Sequence, residues 1–356
     1  MTTKLGKKTQ PQKPKNRASL DTLGVLVTTD DLGRGKMIKR QKAKAITLAQ
    51  LYLLIDLNSE FKKKYWNAYH CNNFIIQYGY EFKTRYCGYR WCNVCQRISM
   101  AKMIKGYSIP LSDLIDLQFI TLTRKNVKAF QLREEYEDFM YIWDKINRNL
   151  KKTYGVRLEG IRKVECTYNP RTDEYNLHFH FLIDGIDNAN LIVEYWLKHN
   201  PDASPSGQDI RKADSGSLLE LFKYAAKGIY KGKFYAHALD NIYQLFYDKK
   251  AFQPLGIRKY VDEDISGIKS QEIKFKGYRS ELWTWDKDRK DWVNKEGELL
   301  TGYIIKGKMA DIIESLAQSD KEEEKIEQLD IEFEEIKIEK SDSYNMAMYS
   351  DCHDIS

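Results

Sequence analysis

The pattern of apolar and polar positions divides the chain into a polar start, a long patterned middle and an acidic end. Residues 1–45 are polar, basic and without apolar periodicity, which predicts a flexible arm. From Thr47 onward Leu48, Leu51, Leu54 and Ile55 recur at helical spacing, and Phe61 continues the stripe. A cysteine-rich segment follows over roughly 70–97. Leu117 to Thr123 predicts a strand, and Phe139, Ile142, Trp143, Ile146 and Leu150 predict an amphipathic helix over about 130–153. Two alternating runs, Gly160 to Tyr168 and Glu174 to Ile183, flank the turn Asn169-Pro170-Arg171-Thr172-Asp173, which is a hairpin pattern. A helix is expected near 188–199, a polar loop from Asn200 to Gly216, and a helix over about 217–231 capped by Ser215 or Ser217. Residues 236–300 are mixed, with a late hairpin from Tyr278 to Val293. Met309 to Lys340 reads as an acidic helix broken near Ser319, ahead of a disordered end.

Strand, helix, hairpin, helix, loop and helix in that order predict an α+β domain, an antiparallel sheet with helices on one face. The expected organisation is a basic arm over 1–45 and a helix plus cysteine segment over 46–112. A core over 113–240, a candidate DNA-binding part over 241–308 and an acidic helix and tail over 309–356 complete it. With 356 residues and 42% apolar content, the chain is long enough for a proper core. The lysine-rich start has no apolar run behind it, and no window approaches the roughly 18 apolar residues of a membrane span. A soluble, cytoplasmic protein with no membrane partner is expected.

The net charge of +7 hides an asymmetry. Residues 1–45 carry a net +9, residues 309–356 a net −11, and the middle of the chain +9. The folded part is therefore basic, as a phosphate-backbone binder needs to be, although lysines also serve solubility alone. Twenty-four tyrosines suit stacking on unpaired bases as well as an ordinary core.

Four of the six cysteines cluster as Cys71, Cys87, Cys92 and Cys95, ending in a Cys-x-x-Cys turn. In a cytoplasmic chain such spacing points to four thiolate ligands on a structural zinc, with His70 able to replace one of them. Free thiols or a redox-active Cys92–Cys95 pair are the alternatives, though no thioredoxin-like strand and helix surround the pair. Arg85, Arg90, Arg97 and Lys102 surround the cluster and are candidate DNA contacts.

In Asn176-Leu177-His178-Phe179-His180-Phe181-Leu182 the alternation puts His178 and His180 on one face of a strand. If the turn centres near Arg171–Thr172, Glu165 on the partner arm faces His178 and completes a three-ligand site. A one-residue slip would turn Glu165 away, and two structural histidines are the plain alternative. Further on, Glu220, Tyr224 and Lys227 fall at i, i+4 and i+7 on one predicted helix face. A phenol, with pKa about 10, needs a nearby metal or cation to act as a nucleophile, and Lys227 would supply that charge. An exposed face with a Glu–Lys pair accounts for the same residues without chemistry.

Phe119 to Thr123, then His178-Phe179-His180, then Lys223-Tyr224-Ala225-Ala226-Lys227 resemble the three motifs of rolling-circle initiators of the His-hydrophobe-His (HUH) endonuclease superfamily. Cys87 to Arg97 and Arg162 to Asn169 resemble plasmid initiators of the Rep_1 family more closely, except that Asn93 stands where proline is usual. The resemblance spans roughly 65–260 and leaves out the basic arm and acidic tail.

It implies an HUH endonuclease-like fold and a tyrosine, Tyr224, that nicks one strand at the double-strand origin and forms a 5′-phosphotyrosyl link. The released 3′-hydroxyl would then prime synthesis. Glu220 would activate water at termination, as in members that use one tyrosine, and Tyr230 ranks second as nucleophile. His178, His180 and Glu165 would hold Mn²⁺ or Mg²⁺, imidazole ligation leaning toward Mn²⁺. Lys223 joins the DNA-binding candidates. Implied partners are origin DNA, duplex and single-stranded, with a host helicase and polymerase. Competing readings are a relaxase or transposase of the same superfamily and a non-catalytic, zinc-containing DNA-binding regulator.

Overall fold

A computed structural model of the chain describes residues 34–78, 81–222, 229–230, 233–260 and 280–318. The first elements are α1 (Arg34–Asp56), α2 (Lys62–Tyr69), β1 (Phe74–Tyr78), β2 (Glu81–Thr84) and α3 (Asn93–Ser112). Then come β3 (Leu117–Thr123), α4 (Leu132–Tyr154), β4 (Gly160–Asn169), β5 (Glu174–Asp184) and α5 (Ile186–His199). They are followed by β6 (Asp209–Lys212), α6 (Ser215–Phe222), β7 (Ile229–Tyr230), β8 (Lys233–Phe234) and α7 (Ala236–Phe246). The last are β9 (Phe252–Leu255), β10 (Ser280–Asp286), β11 (Asp291–Val293) and α8 (Lys308–Gln318).

The main sheet is antiparallel, in the order β6-β3-β5-β4-β9. Its centre is the expected hairpin, and Gly160 opens β4 because a side chain there would collide with the Leu182 carbonyl across the ladder. Strand alternation sends Leu177, Phe179, Phe181 and Ile183 of β5 to one face, where all four are buried. The apolar stripe of α4 covers them: Phe139 lies 4.3 Å from Phe179 and Trp143 4.7 Å from Phe181, ring centre to ring centre. Trp196 of α5 packs edge-on against Phe139 at 4.8 Å. Burying an aromatic ring of this size contributes about 1.5–3 kcal/mol, so the rings of this face add substantially to stability. The helix ends where Gly155 turns left-handed at φ 67°.

The α+β class and the antiparallel sheet are as the pattern predicts, and the helical cover of the Phe179 face is in place. Among the described residues, the opposite face has helical cover at one end. There Phe119, Ile161 and Leu182 pack under Tyr107 and Leu111 of α3 and Leu221 and Phe222 of α6.

Three expectations change. The basic arm gives way to helix at Arg34, and its residues 1–33 lie outside the described part. The stripe of α1 was hidden because Gln41, Lys44 and Thr47 occupy buried positions on it. They are satisfied by hydrogen bonds: Lys44 Nζ donates to the carbonyls of Tyr69 and Cys71 and to Asn73 Oδ1 at 2.6–2.7 Å. Second, the 200–216 loop contains β6, which extends the main sheet beside β3. Third, the helix expected to reach 231 does not, since Ile229 and Tyr230 pair with Phe234 and Lys233 in a small hairpin. Between glycines at 228 and 232, a β-branched and an aromatic residue favour a strand. The cap of α6 is Asp214, whose Oδ1 accepts from the Ser217 backbone at 2.7 Å while Ser217 Oγ accepts from the Asp214 backbone at 3.1 Å.

The expected division into consecutive stretches also changes. The late hairpin β10–β11 pairs through β10 with β1, giving a second sheet in the order β11-β10-β1-β2. Gln41 of α1 donates to the carbonyls of Lys290 and Tyr303, so the 280–303 stretch is built into the cysteine half. Helix α7 joins the two halves. Ala238, Ile242, Leu245 and Phe246 belong to the main core, and Leu239 and Tyr243 to the core around the cysteines. Among the described residues no helix is long and apolar enough to cross a membrane. The expected acidic tail beyond 318 lies outside the described part.

Candidate functional site

The register of the hairpin decides what stands beside the histidines. Glu165 is directly opposite His178, Lys163 opposite His180, and on the other side Thr121 pairs with His180 and Thr123 with His178. The slip that would have turned Glu165 away does not occur, because the apolar residues of both arms must share the α4 face. Glu165, His178 and His180 each offer a ligand atom, all within 4.8 Å of one another. His178 Nε2 lies 3.4 Å and His180 Nε2 3.8 Å from Glu165 Oε2. The imidazoles stand nearly perpendicular, with ring centres 4.8 Å apart.

Each ring is oriented through its other nitrogen. His178 Nδ1 lies 3.4 Å from the Asn176 carbonyl, which turns the ring so that Nε2 faces the carboxylate. His180 Nδ1 is held by the Thr121 hydroxyl at 3.2 Å. Burial alone would raise the Glu165 pKa, but the hydrogen bond from His178 and the Lys163 charge overcome it and hold the carboxyl down at about 2. Burial, with the charges of His178 and Lys163, lowers His180 to about 4, against the opposing pull of Glu165 and Glu220. An ionised carboxylate beside a neutral imidazole at neutral pH is the protonation state that metal ligation requires, so these residues fit a divalent ion.

Glu220 is brought to this face by α6. Its carboxylate acts on His180 electrostatically, and its backbone carbonyl lies 3.4 Å from Lys163 Nζ. Tyr224, Lys227 and Lys223 lie outside the described residues, as does their expected helix face. Tyr230 is in strand β7.

The second group is the four cysteines. Cys71, Cys87, Cys92 and Cys95 converge with their sulfurs within 4.8 Å of one another, and Cys95 Sγ is 3.6 Å from both Cys71 Sγ and Cys87 Sγ. His70 is not among the converging donors; its ring stacks on Trp66 and its Nδ1 bonds the Asn73 amide at 3.1 Å. Thiol hydrogen bonds from Cys71, Cys87 and Cys95 hold the Cys92 thiol well below its usual range, while their counterparts push Cys87 up. One thiolate is favoured and further ones resisted, a charge pattern that a divalent cation would relieve. Cys166 is separate, buried in β4 on the Phe179 face.

The basic candidates divide. Arg97 and Lys102 are exposed on α3, the helix that packs across the closed end of the histidine face, and Arg85 is exposed after β2. Arg90 is half-buried and donates to the Phe246 carbonyl at 2.9 Å, tying the cysteine segment to α7. Two residues of the site had no role assigned from the sequence. Lys163 was within reach of the alternation rule, two residues before Glu165, whereas Thr121 required the β3–β5 register.

Residues 80–184 match the model of the Rep_1 family, described as replication protein. A curated protein from Staphylococcus aureus, named Protein rep, is 32% identical over 165 residues, which is 41% of this chain and 71% of that protein. No solved structure matches. The family match takes in Cys87, Cys92, Cys95, Glu165, His178 and His180 and ends before Glu220 and Tyr224. With both comparisons pointing the same way, this chain belongs to the Rep_1 family of replication proteins.

Proposed function

We propose that the protein is a plasmid rolling-circle replication initiator, a metal-dependent endonuclease that nicks one DNA strand at its origin and rejoins it. The observation that carries this reading is the placement of Glu165 opposite His178, with His180 on the same sheet face. Three hard or borderline donors leave coordination positions for a phosphate oxygen, which suits Mn²⁺ or Mg²⁺. Bound there, such an ion would polarise the scissile phosphate and stabilise the charge of the transition state.

The chain's own groups do the rest. Tyr224 attacks the phosphorus through its phenolic oxygen, the 3′-oxygen leaves, and the 5′-phosphate remains esterified to the tyrosine. Lys227 favours the phenolate. Glu220, carried to the histidine face by α6, takes a proton from water when the cycle closes. The four cysteines hold a structural zinc, and Arg85, Arg97, Lys102 and Lys223 contact DNA phosphates, with origin DNA held both as duplex and as unpaired strand. A host helicase and polymerase act on the product.

The test is conversion of supercoiled plasmid carrying the parent origin to the open circle in Mn²⁺ or Mg²⁺. Nicking that depends on the metal and on His178 and His180 supports the reading. Nicking that survives His178→Ala with His180→Ala refutes it.

A further inference from the structure

The histidine face holds a cation of the chain's own, fixed by the same strand that carries Glu165. Lys163 and Glu165 are two residues apart on β4, so both side chains point to one face, and the ladder partner of Lys163 is His180. The Lys163 side chain is only 8% exposed. Its ammonium pairs with Glu165 Oε1, while both imidazoles approach the other oxygen, Oε2. The carboxylate is thus divided between a lysine and two metal-ligand candidates. The ammonium also lies 3.4 Å from the Glu220 carbonyl on α6, so it bridges the ligand strand and the helix that leads to Tyr224. Burying an ammonium is unfavourable even when it is paired, and an apolar residue would serve packing alone at lower cost.

We propose that Lys163 is a cationic latch on the metal site, which holds Glu165 until a divalent ion takes the carboxylate and then pairs with a non-bridging oxygen of the DNA phosphate. The inference rests on Glu165, His178 and His180 being that site. An ammonium and a divalent ion sharing one carboxylate repel each other, so the free protein binds metal weakly. A phosphate adds negative charge for both cations to share, which turns competition into mutual support. Metal and DNA then each raise the other's affinity by the same factor, as linkage requires. Lys163 becomes a positioning residue for Glu165 and a direct contact for the phosphate.

The experiment is titration of the full chain with Mn²⁺ by calorimetry, alone and with a single-stranded oligothymidylate. Lys163→Met keeps the aliphatic bulk and removes the charge. It is expected to bind Mn²⁺ about tenfold more tightly than the parent when DNA is absent. The gain in Mn²⁺ affinity that the oligonucleotide gives the parent should largely vanish in this variant. Lys163→Gln, which removes the charge and keeps a polar side chain, should behave in the same way, so the result does not hang on one variant folding. Lys163→Arg should restore the parent's weak binding and its response to DNA, which a packing role would not do. Neutral variants that bind Mn²⁺ no more tightly, or keep the parent's response to DNA, overturn the latch. Mn²⁺ binding that is untouched by His178→Ala with His180→Ala overturns the metal-site reading itself, whatever Lys163 does.

Discussion

The two ligand clusters differ in how completely the fold closes them. Around the cysteines, four soft donors converge inside an aromatic core, where Trp91 stacks on Tyr89 at 4.7 Å and meets Tyr65 edge-on at 5.4 Å. Every coordination position of a tetrahedral ion is spoken for by protein. At Glu165, His178 and His180 there are three donors, and the next groups are charged: Lys163 and Glu220. Closed four-ligand sites support folding, and open sites support reactions. On that contrast we propose that the cysteine cluster serves stability and the histidine face chemistry, although a single helix, α7, packs against both cores.

The largest expected effect would break this contrast at once. Cys92→Ser should lose the zinc and unfold the cysteine half, because metal binding of this kind supplies about 10–16 kcal/mol of folding free energy. The measurements are zinc content and thermal melting by circular dichroism. A metal-free chain that melts like the parent would remove the structural role. By the same logic, His178→Ala with His180→Ala should leave melting nearly unchanged and abolish nicking, while duplex origin binding survives through phosphate contacts. Loss of folding in that double variant would erase the distinction between the clusters.

A sharper division is expected within the chemical half. Tyr224→Phe should eliminate the covalent adduct on a single-stranded origin oligonucleotide, read as a shifted band on a denaturing gel. Glu220→Gln should form the adduct but release it poorly and accumulate products longer than one replicon. An adduct persisting in Tyr224→Phe would move the nucleophile to Tyr230 or elsewhere.

Two smaller effects test the borders. Lys44→Met leaves the carbonyls of Tyr69 and Cys71 without their buried donor and should cost about 3 kcal/mol in denaturant unfolding, with zinc retained. A neutral result would make Lys44 incidental to the cysteine half. Arg97→Ala with Lys102→Ala should weaken binding to any DNA sequence and reduce the slope of log affinity against log salt by about 2. An unchanged slope would place the DNA elsewhere.

Much of the sheet was legible because its elements carry strong periodic signals. The α4 stripe and the alternation of β5 each match one period over many residues, and a turn centred near Arg171–Thr172 set Glu165 opposite His178, with a one-residue slip left open until the ladder excluded it. The missed elements have weak or misleading signals. Strand β6 is four residues long and mostly exposed, so no alternation marks it. The stripe of α1 is interrupted by Gln41 and Lys44, whose polarity says solvent until their distant carbonyl and side-chain acceptors are known. Arg90 looked like a phosphate contact among other arginines, yet it donates to a carbonyl 156 residues away.

By itself the sequence determined the local period of the main elements, the donor types in both clusters and the face shared by His178 and His180. Those depend on neighbouring residues and on backbone geometry, which is the same in every protein. Only the tertiary structure decided that β10 returns to β1, that α7 joins two cores, and that Glu220 and Lys163 meet over the histidine face. Each of these sets residues far apart in the chain against one another. Such pairings are chosen by which apolar faces must be buried together and which buried polar groups must find partners, a condition on the whole chain that no short stretch carries.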